Sequence, residues 1–368
     1  MPELIVDCDV HPHINGGVEP LFEYLSAGWQ KRLEGRKKGE QSITFAFRAP
    51  HFAGEGAVRL DAVPPGGGYP GSDAEFMVED LLNRNKIDAA ILIPLQPAMM
   101  ERHLDADEAA VLVSAYNDYF YDHWLSVDDR FRMCVTVIPQ DPELAAKEIR
   151  RFGAKKDVVA VYLATGDKLL GNRYYRPIFE AAVEMDLPIV LHDHGSRGHF
   201  QGSATFAVGV PTSQAERNTG MMQIGMGHLT SLLWEGTFER YPQLKVVFVE
   251  YDWTWVPSVM WRIESGWRAA RSATPWVKRS PSEVLREHIR FTSQPGDAVP
   301  KEEWVNIILE QMYGDRTMLF ATDYPHWDAD EPEQVFRTAS PEMKERIFWQ
   351  NAADVFGTRL RLPELART

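Results

Sequence analysis

Cysteine and long apolar runs are both scarce in this chain of 368 residues. Its two cysteines, Cys8 and Cys134, sit within strand-like segments, a pattern that excludes a disulfide framework and is more typical of a reducing compartment. No apolar run approaches the roughly 18 residues of a membrane span. The start of the chain also lacks the basic and apolar regions of a signal peptide. We therefore expect a cytoplasmic protein that does not enter a membrane.

Positive charge is also in deficit. Lys and Arg total 39 against 53 Asp and Glu, which gives a formal net charge of −14, and no basic run stands out. This balance argues against nucleic acid and against an anionic membrane surface as partners. The 44% hydrophobic and 25% charged residues are ordinary for a soluble globular protein. We expect the chain to act on a small-molecule carboxylate or aromatic substrate and to form a homo-oligomer, a dimer or a tetramer.

Short apolar, β-branched runs recur along the chain with helical stretches between them. Near-continuous apolar strands that alternate with helices indicate a parallel sheet covered on both faces. Eight such runs favour a single (β/α)₈ TIM barrel over residues 1–368, taken as one domain, with a doubly wound open sheet as the alternative. The runs are residues 4–11, 88–94, 131–139, 158–163, 187–192, 244–250, 288–293 and 319–323. Long loop insertions are predicted after strands one and five, at residues 15–80 and 193–218.

Polar side chains stand at the ends of several of these predicted strands. In a barrel all strand ends of this kind point to the carboxyl-terminal face, where barrel enzymes build their sites. Each residue alone could be a hydrogen-bonded interior polar group, but the coincidence of several at one face indicates a site. These residues are Asp9, His11, His192, Glu250 and Asp323.

The donor types indicate a divalent metal. Asp9 and His11 are two residues apart, so the alternation of a strand places both on one face. A buried carboxylate such as Asp323 needs a cation, a metal or a dense hydrogen-bond shell. Two imidazoles and two carboxylates suit one Zn²⁺ or Mn²⁺ ion. The sequence therefore predicts a divalent metal site at this face of the barrel.

Four motifs resemble the amidohydrolase-related family of the metal-dependent hydrolase superfamily. They are VDCDVH at residues 6–11, PIVLH at 188–192, FATDYPH at 320–326 and NAADVFG at 351–357. The resemblance is to the branch that includes the aminocarboxymuconate-semialdehyde, γ-resorcylate and 5-carboxyvanillate decarboxylases. It implies a TIM barrel, a divalent metal and an aromatic or unsaturated carboxylic acid as substrate.

The first motif matches the family in two registers. If the leading aspartate of the family is Asp7, the ligands are Asp9 and His11; if it is Asp9, they are His11 and His13. We favour the first because Pro12 marks the end of the strand, which leaves His13 in the loop as a candidate substrate residue. The resemblance then implies that His192 and Asp323 are the remaining ligands. The predicted metal ligands are therefore Asp9, His11, His192 and Asp323.

Several residues near the motifs are candidate substrate contacts. His194 and His326 each follow a predicted ligand, and Trp253 could form an aromatic wall. Arg48 and Arg197, in the two insertions, could hold a substrate carboxylate.

Strand six departs from the pattern of the decarboxylases. Where they place a histidine, this chain has Glu250. Glu250 is therefore predicted to be a catalytic acid or base, or an anchor behind the site. Asp323 is the other predicted catalytic residue, as the group that carries the proton.

Three functions are compatible with these residues. The favoured one is a metal-dependent, non-oxidative decarboxylase, which is a carboxy-lyase. The alternative is a hydrolase of an amide, lactone or C–C bond that uses metal-activated water. A non-catalytic barrel that only binds is the third, which the intact ligand set disfavours.

Overall fold

The structure is a computed structural model that describes residues 2–34, 58–164, 166, 168–192, 214–296 and 298–362. Much of both predicted insertions, including Arg48, His194 and Arg197, lies outside the described residues.

Eight parallel strands form one sheet in the order β1 to β8. Each strand pairs with the next one along the chain, as a (β/α)₈ barrel requires. The predicted barrel is thus confirmed. The strands are β1 (Val6–Val10), β2 (Ala89–Leu92), β3 (Phe131–Val137), β4 (Val158–Ala164), β5 (Ile189–His192), β6 (Val246–Val249), β7 (Ile289–Thr292) and β8 (Met318–Leu319).

Helices cover the outside of the sheet between the strands. The described α-helices are α1 (Ala27–Leu33), α2 (Ala74–Met77), α3 (Leu95–Ala98), α4 (Ala106–His123), α5 (Pro142–Gly153), α6 (Arg176–Glu184), α7 (Gln214–Trp234), α8 (Thr237–Arg240), α9 (Val256–Ala269), α10 (Pro281–His288), α11 (Glu302–Gln311), α12 (Gly314–Thr317), α13 (Pro341–Glu345) and α14 (Asn351–Phe356). Two π-helical segments, Val78–Asn83 and Arg346–Gln350, continue α2 and α13. None of the helices in the described part of the chain has the length and apolar character to span a membrane.

Local sequence explains where the helices begin. Asp141 precedes Pro142 and accepts hydrogen bonds from the first backbone N–H groups of α5. Ser280 and Glu283 form a reciprocal capping box at the start of α10. A side-chain acceptor at the cap accepts hydrogen bonds from N–H groups that have no partner within the helix. Proline in the first turn has no N–H group that would need a partner.

The interior of the barrel is apolar over its lower part. Side chains that alternate along the strands, such as Ile91, Val190 and Leu319, pack with α14 and the residues that follow it. At the start of β3, Arg132 donates hydrogen bonds to the carbonyls of Arg359 and Leu360. The C-terminal segment therefore closes the amino-terminal end of the barrel, which leaves the opposite end for a site.

Two strand predictions need correction. β8 was expected to extend to Asp323, but its regular pairing ends at Leu319 because Phe320 turns its N–H to the carbonyl of Ile347 and its own carbonyl to Cys8. His288 was expected to open strand seven, but it ends the capped helix α10, and β7 begins at Ile289.

The seam between β1 and β8 is closed by side chains as well as by backbone. The Asp7 carboxylate accepts bonds from the N–H of Thr322 at 3.0 Å and from its hydroxyl at 2.6 Å. The N–H of Asp9 donates to the same carboxylate at 3.2 Å. Burial raises the pKa of Asp7 to about 6 in spite of these donors. Asp7 therefore replaces ladder hydrogen bonds at the point where the barrel closes.

Replacement of Asp7 by alanine tests this function of the seam. Asp7→Ala leaves three buried donors without an acceptor, which we expect to lower the free energy of unfolding by about 3 kcal/mol. The urea midpoint of the metal-free protein measures the loss. Asp129→Ala, at a carboxylate that is 96% exposed, serves as the control. Equal midpoints for the two variants would contradict the function assigned to Asp7.

His288 gives the fold a pH dependence away from the site. Its Nδ1 lies 2.9 Å from the carbonyl oxygen of Leu244, Nε2 faces the Arg279 guanidinium at 3.1 Å, and the ring stacks on Phe238. Burial lowers the pKa of His288 below its usual 6.5, with Glu287, Lys245 and Arg279 as further charged neighbours. The unfolded chain thus binds this proton more readily. The associated stability is full above about pH 6.5 and is lost as the pH falls below it.

We expect the melting temperature of the parent protein to fall relative to that of His288→Phe when the pH is lowered from 7.5 to 5.5. The phenylalanine keeps the stack on Phe238 but cannot take up a proton. Melting curves at the two pH values measure the difference. His123→Gln, at a half-exposed histidine, should behave like the parent protein. A His288→Phe variant with the parent's pH dependence would exclude His288 as its source.

Candidate metal centre

The predicted site residues lie at the carboxyl end of the barrel. Asp9 belongs to β1 and His192 is the last residue of β5. His11 follows β1 and Glu250 follows β6 directly, whereas Asp323 comes four residues after β8. All are buried except Glu250, whose side chain is 17% exposed. The barrel therefore holds carboxylates and imidazoles in its interior at one end.

A bulge in β1 sets the direction of Asp9. Asp7 pairs with Ala90, but Val10 pairs with Leu92, so β1 holds one residue more than its partner over this stretch. A bulge re-aims the side chains beside it. Asp7 consequently bonds to Thr322 in the seam, while Asp9 joins His11 in the barrel end.

His11 defines where a cation would bind. Its Nδ1 lies 2.9 Å from the carbonyl oxygen of Ile93, so Nδ1 carries a proton. Its Nε2 then faces two carboxylate oxygens, Asp323 Oδ1 at 2.8 Å and Asp9 Oδ1 at 3.2 Å. A lone pair directed at two acceptors is repulsive unless a second proton or a metal ion lies between them. A backbone carbonyl that fixes the tautomer is also the usual support of a metal-bound imidazole.

His192 approaches the same point from the opposite side of the barrel. Its Nε2 is 3.4 Å from Glu250 Oε2 and 3.8 Å from Asp9 Oδ2. Its ring stands edge-on to that of His11, with centroids 5.1 Å apart, and Tyr162 of β4 packs at 5.9 Å. Two imidazoles thus direct ring nitrogens to a common space between carboxylates.

Asp323 and Glu250 share an unusual backbone. Their φ angles are +63° and +61°, in the left-handed region that side chains other than glycine rarely adopt. Backbone bonds support the strained turn at Asp323, whose N–H donates to the carbonyl of Asp9 at 3.0 Å. Strain of this kind persists where the surrounding structure holds a functional side chain in place.

His326 adds a third imidazole. Its Nδ1 lies 2.5 Å from Asp323 Oδ1 and 3.8 Å from Glu250 Oε1. Val58 forms an isolated antiparallel bridge to His326, and the N–H of Arg59 donates to the carbonyl of Pro325. The returning end of the first insertion therefore lies against this turn.

The buried carboxylates are only partly compensated by protein donors. Burial raises the pKa of Asp9, Asp323 and Glu250 well above their usual ranges, and nearby carboxylates raise each further. Among the described residues, neither oxygen of Asp9 accepts a well-aligned hydrogen bond, and Asp323 Oδ2 accepts none. A bound cation would reverse this electrostatic balance. The donor set therefore fits a divalent metal ion.

The ligand atoms form two overlapping groups. One contains Asp9, His11, His192 and Glu250, and the other contains His11, Glu250, Asp323 and His326; within each group all the atoms lie within 4.8 Å of one another. The structure thus brings together all four predicted ligands around His11, but it places Asp323 nearer to His326 and Glu250 nearer to His192.

Other predicted residues lie outside these groups. His13 stacks on Tyr69 with centroids 4.0 Å apart, and burial lowers its pKa to about 4. Trp253 is 3% exposed, donates its indole N–H to the carbonyl of Ser293 and packs on Phe336. His194 lies outside the described residues. His13 is half-buried and Trp253 is buried, and neither belongs to a metal-ligand group.

Sequence reasoning missed the seam function of Asp7 and the place of Tyr162. Asp7 was visible as a second acid in VDCDVH, but without the bulge its direction could not be read. Tyr162 was visible as a polar residue near the end of a predicted strand.

The comparisons with known proteins agree with this geometry. The Amidohydrolase family model matches residues 6–358. The gamma-resorcylate decarboxylase of Polaromonas sp. (strain JS666) is 26% identical over 297 residues, which cover 75% of this chain and 85% of that protein.

Two solved structures show the same fold at low identity. The 5-carboxyvanillate decarboxylase of Sphingomonas paucimobilis has a TM-score of 0.67 at 20% identity and covers 96% of this chain and 98% of its own. That of Novosphingobium aromaticivorans, complexed with manganese and 4-hydroxy-3-methoxy-5-nitrobenzoic acid, has a TM-score of 0.66 at 23% identity and covers 96% of each chain. The predicted family is thereby confirmed: the chain belongs to the Amidohydrolase family.

Proposed function

We propose that this protein is a metal-dependent, non-oxidative decarboxylase of an aromatic or unsaturated carboxylic acid. The observation that carries the proposal is the buried cluster around His11 at the carboxyl end of the barrel. The name of the Polaromonas relative supplies the reaction class. Hydrolysis by metal-activated water would use the same ligands and is the alternative that the experiment below must exclude.

The proposed metal ligands are Asp9, His11, His192 and Asp323. The ion is Mn²⁺ or Zn²⁺, with manganese supported by the ion in the Novosphingobium structure. When bound, it would act as a Lewis acid that holds the substrate carboxylate and an adjacent hydroxyl oxygen.

Asp323 is the proposed proton carrier. Its Oδ1 is occupied by contacts with His11 and His326, whereas Oδ2 accepts no hydrogen bond from the described residues. Oδ2 is therefore the atom from which a proton can pass to the substrate. The proton forms a C–H bond at the carbon that bears the carboxylate. The C–C bond then breaks, its electron pair stays with the ring, and CO₂ leaves.

His326 is placed to return the proton. Its side chain is 17% exposed and its Nδ1 contacts the Asp323 carboxylate, so it connects the buried acid to solvent. Among the predicted substrate contacts, we propose that His326 is the one that touches the substrate. His13 and Trp253 would support the pocket wall through their packing.

The proposal also includes a cytoplasmic location and a homo-oligomeric assembly for the protein. Cys8 and Cys134 are free and buried, as a cytoplasmic enzyme allows. Trp304 and Ile307 share one face of α11 and are 45% and 49% exposed, and such a pair favours a partner surface. We expect a dimer or a tetramer by multi-angle light scattering; the mass of a single chain at micromolar concentration would reject this.

The reaction itself is tested by CO₂ release. We expect the Mn²⁺-loaded protein to decarboxylate at least one member of a panel of ortho-hydroxybenzoates, and Asp323→Asn to lower kcat by roughly 10²–10⁴-fold because the proton donor is removed. Removal of the metal with a chelator should abolish turnover, and added Mn²⁺ should restore it.

Asp330→Asn is the matched control, since Asp330 lies on the same loop but in neither ligand group. It should retain activity. Turnover of amides or lactones without CO₂ release from the panel would replace the decarboxylase with the hydrolase.

A further inference from the structure

Glu250 occupies a position that the proposed ligand set does not use. It follows β6 directly with φ +61°, and its N–H contacts the hydroxyl of Thr292 at 3.3 Å. A left-handed backbone at a residue with a side chain is strained. This conformation turns the carboxylate into the barrel end, although solvent lies close by.

The distances around Glu250 fit atoms that share one ion. Metal ligands lie about 2.0–2.2 Å from a small divalent ion, so neighbouring ligand atoms are roughly 2.9–3.6 Å apart. Glu250 Oε2 is 3.4 Å from His192 Nε2, and Asp9 Oδ1 is 3.2 Å from His11 Nε2. Both pairs fall within this range.

Glu250 belongs to the same group of ligand atoms as three of the four proposed ligands. The atoms that lie mutually within 4.8 Å around Asp9 and His192 include Glu250 but not Asp323. A carboxylate held among two imidazoles and a second carboxylate is better placed to bind a cation than to deliver a proton to a substrate.

We propose that Glu250 is a direct ligand of the divalent ion through Oε2, beside Asp9, His11 and His192. The inference rests on the metal of the proposed function, but not on its reaction. With Asp323 the shell then contains three carboxylates and two imidazoles. A donor set richer in carboxylate oxygen would favour Mn²⁺ over Zn²⁺.

Metal affinity tests the assignment without any assay of turnover. Metal-free protein is titrated with Mn²⁺ alone, and free Mn²⁺ is followed by electron paramagnetic resonance. We expect Glu250→Gln to weaken Mn²⁺ binding by at least about 100-fold, since loss of a residue behind a ligand already costs 10–100-fold. The ratio of the Zn²⁺ to the Mn²⁺ association constant should rise in the variant.

Asp330→Asn is again the control, because it removes a nearby negative charge and leaves every atom of both groups in place. It should weaken Mn²⁺ binding less than tenfold. Circular dichroism of each variant establishes that it is folded, and Glu250→Asp, which keeps a carboxylate, should bind Mn²⁺ more tightly than Glu250→Gln.

A Glu250→Gln variant that binds Mn²⁺ no more weakly than Asp330→Asn overturns the proposal, even if its activity is lost, and leaves Glu250 as an acid or base. The decarboxylase proposal fails separately, when the metal-loaded parent releases no CO₂. The two failures are therefore distinguishable.

Discussion

The repulsion between His11 Nε2 and the two carboxylates that face it is the constraint on which the site depends. The proton on Nδ1 is held by the carbonyl of Ile93, so the ring cannot relieve this repulsion by changing tautomer. A second proton on the ring would supply only one positive charge for the three carboxylates Asp9, Asp323 and Glu250. A divalent ion satisfies all of these groups at once, because it accepts the lone pair of the imidazole and neutralises the carboxylates together. The same ion would make the carboxyl end of the barrel reactive.

The backbone hydrogen bonds that close the barrel also set the geometry of the site. The N–H of Asp323 donates to the carbonyl of Asp9, and the N–H of His11 donates to that of Tyr324. These bonds continue the seam that Asp7 and Thr322 close one layer below. Because β8 has only two residues in regular pairing, the backbone beyond it is free to take the strained turn at Asp323. The seam therefore contributes to stability and also fixes the distance between Asp323 and the ligands on β1.

The sequence predicted the fold well because each strand carries its own signal. Apolar β-branched runs between helices require a parallel sheet, and eight of them nearly require a barrel. His192 could be placed at a strand end from PIVLH alone. The bulge after Asp7 and the left-handed turns at Glu250 and Asp323 carry no such signal, since they arise from contacts between segments far apart in the chain. The short helix before β7 is a different case, because the local capping residues Ser280, Pro281 and Glu283 indicate its start although its periodicity does not.

The two overlapping groups explain how one carboxylate could serve both metal and proton. His11 and Glu250 belong to both groups, and the ring of His326 lies too far to one side to share an ion with His192. If Glu250 completes the group around Asp9, its negative charge weakens the attraction between the ion and the Asp323 carboxylate. Asp323 can then keep one oxygen toward His11 and the ion while the other oxygen stays free to be protonated. A site with a histidine in place of Glu250 would lack that negative charge, and Asp323 would be drawn more firmly to the metal. Glu250 therefore sets how available Asp323 is as an acid.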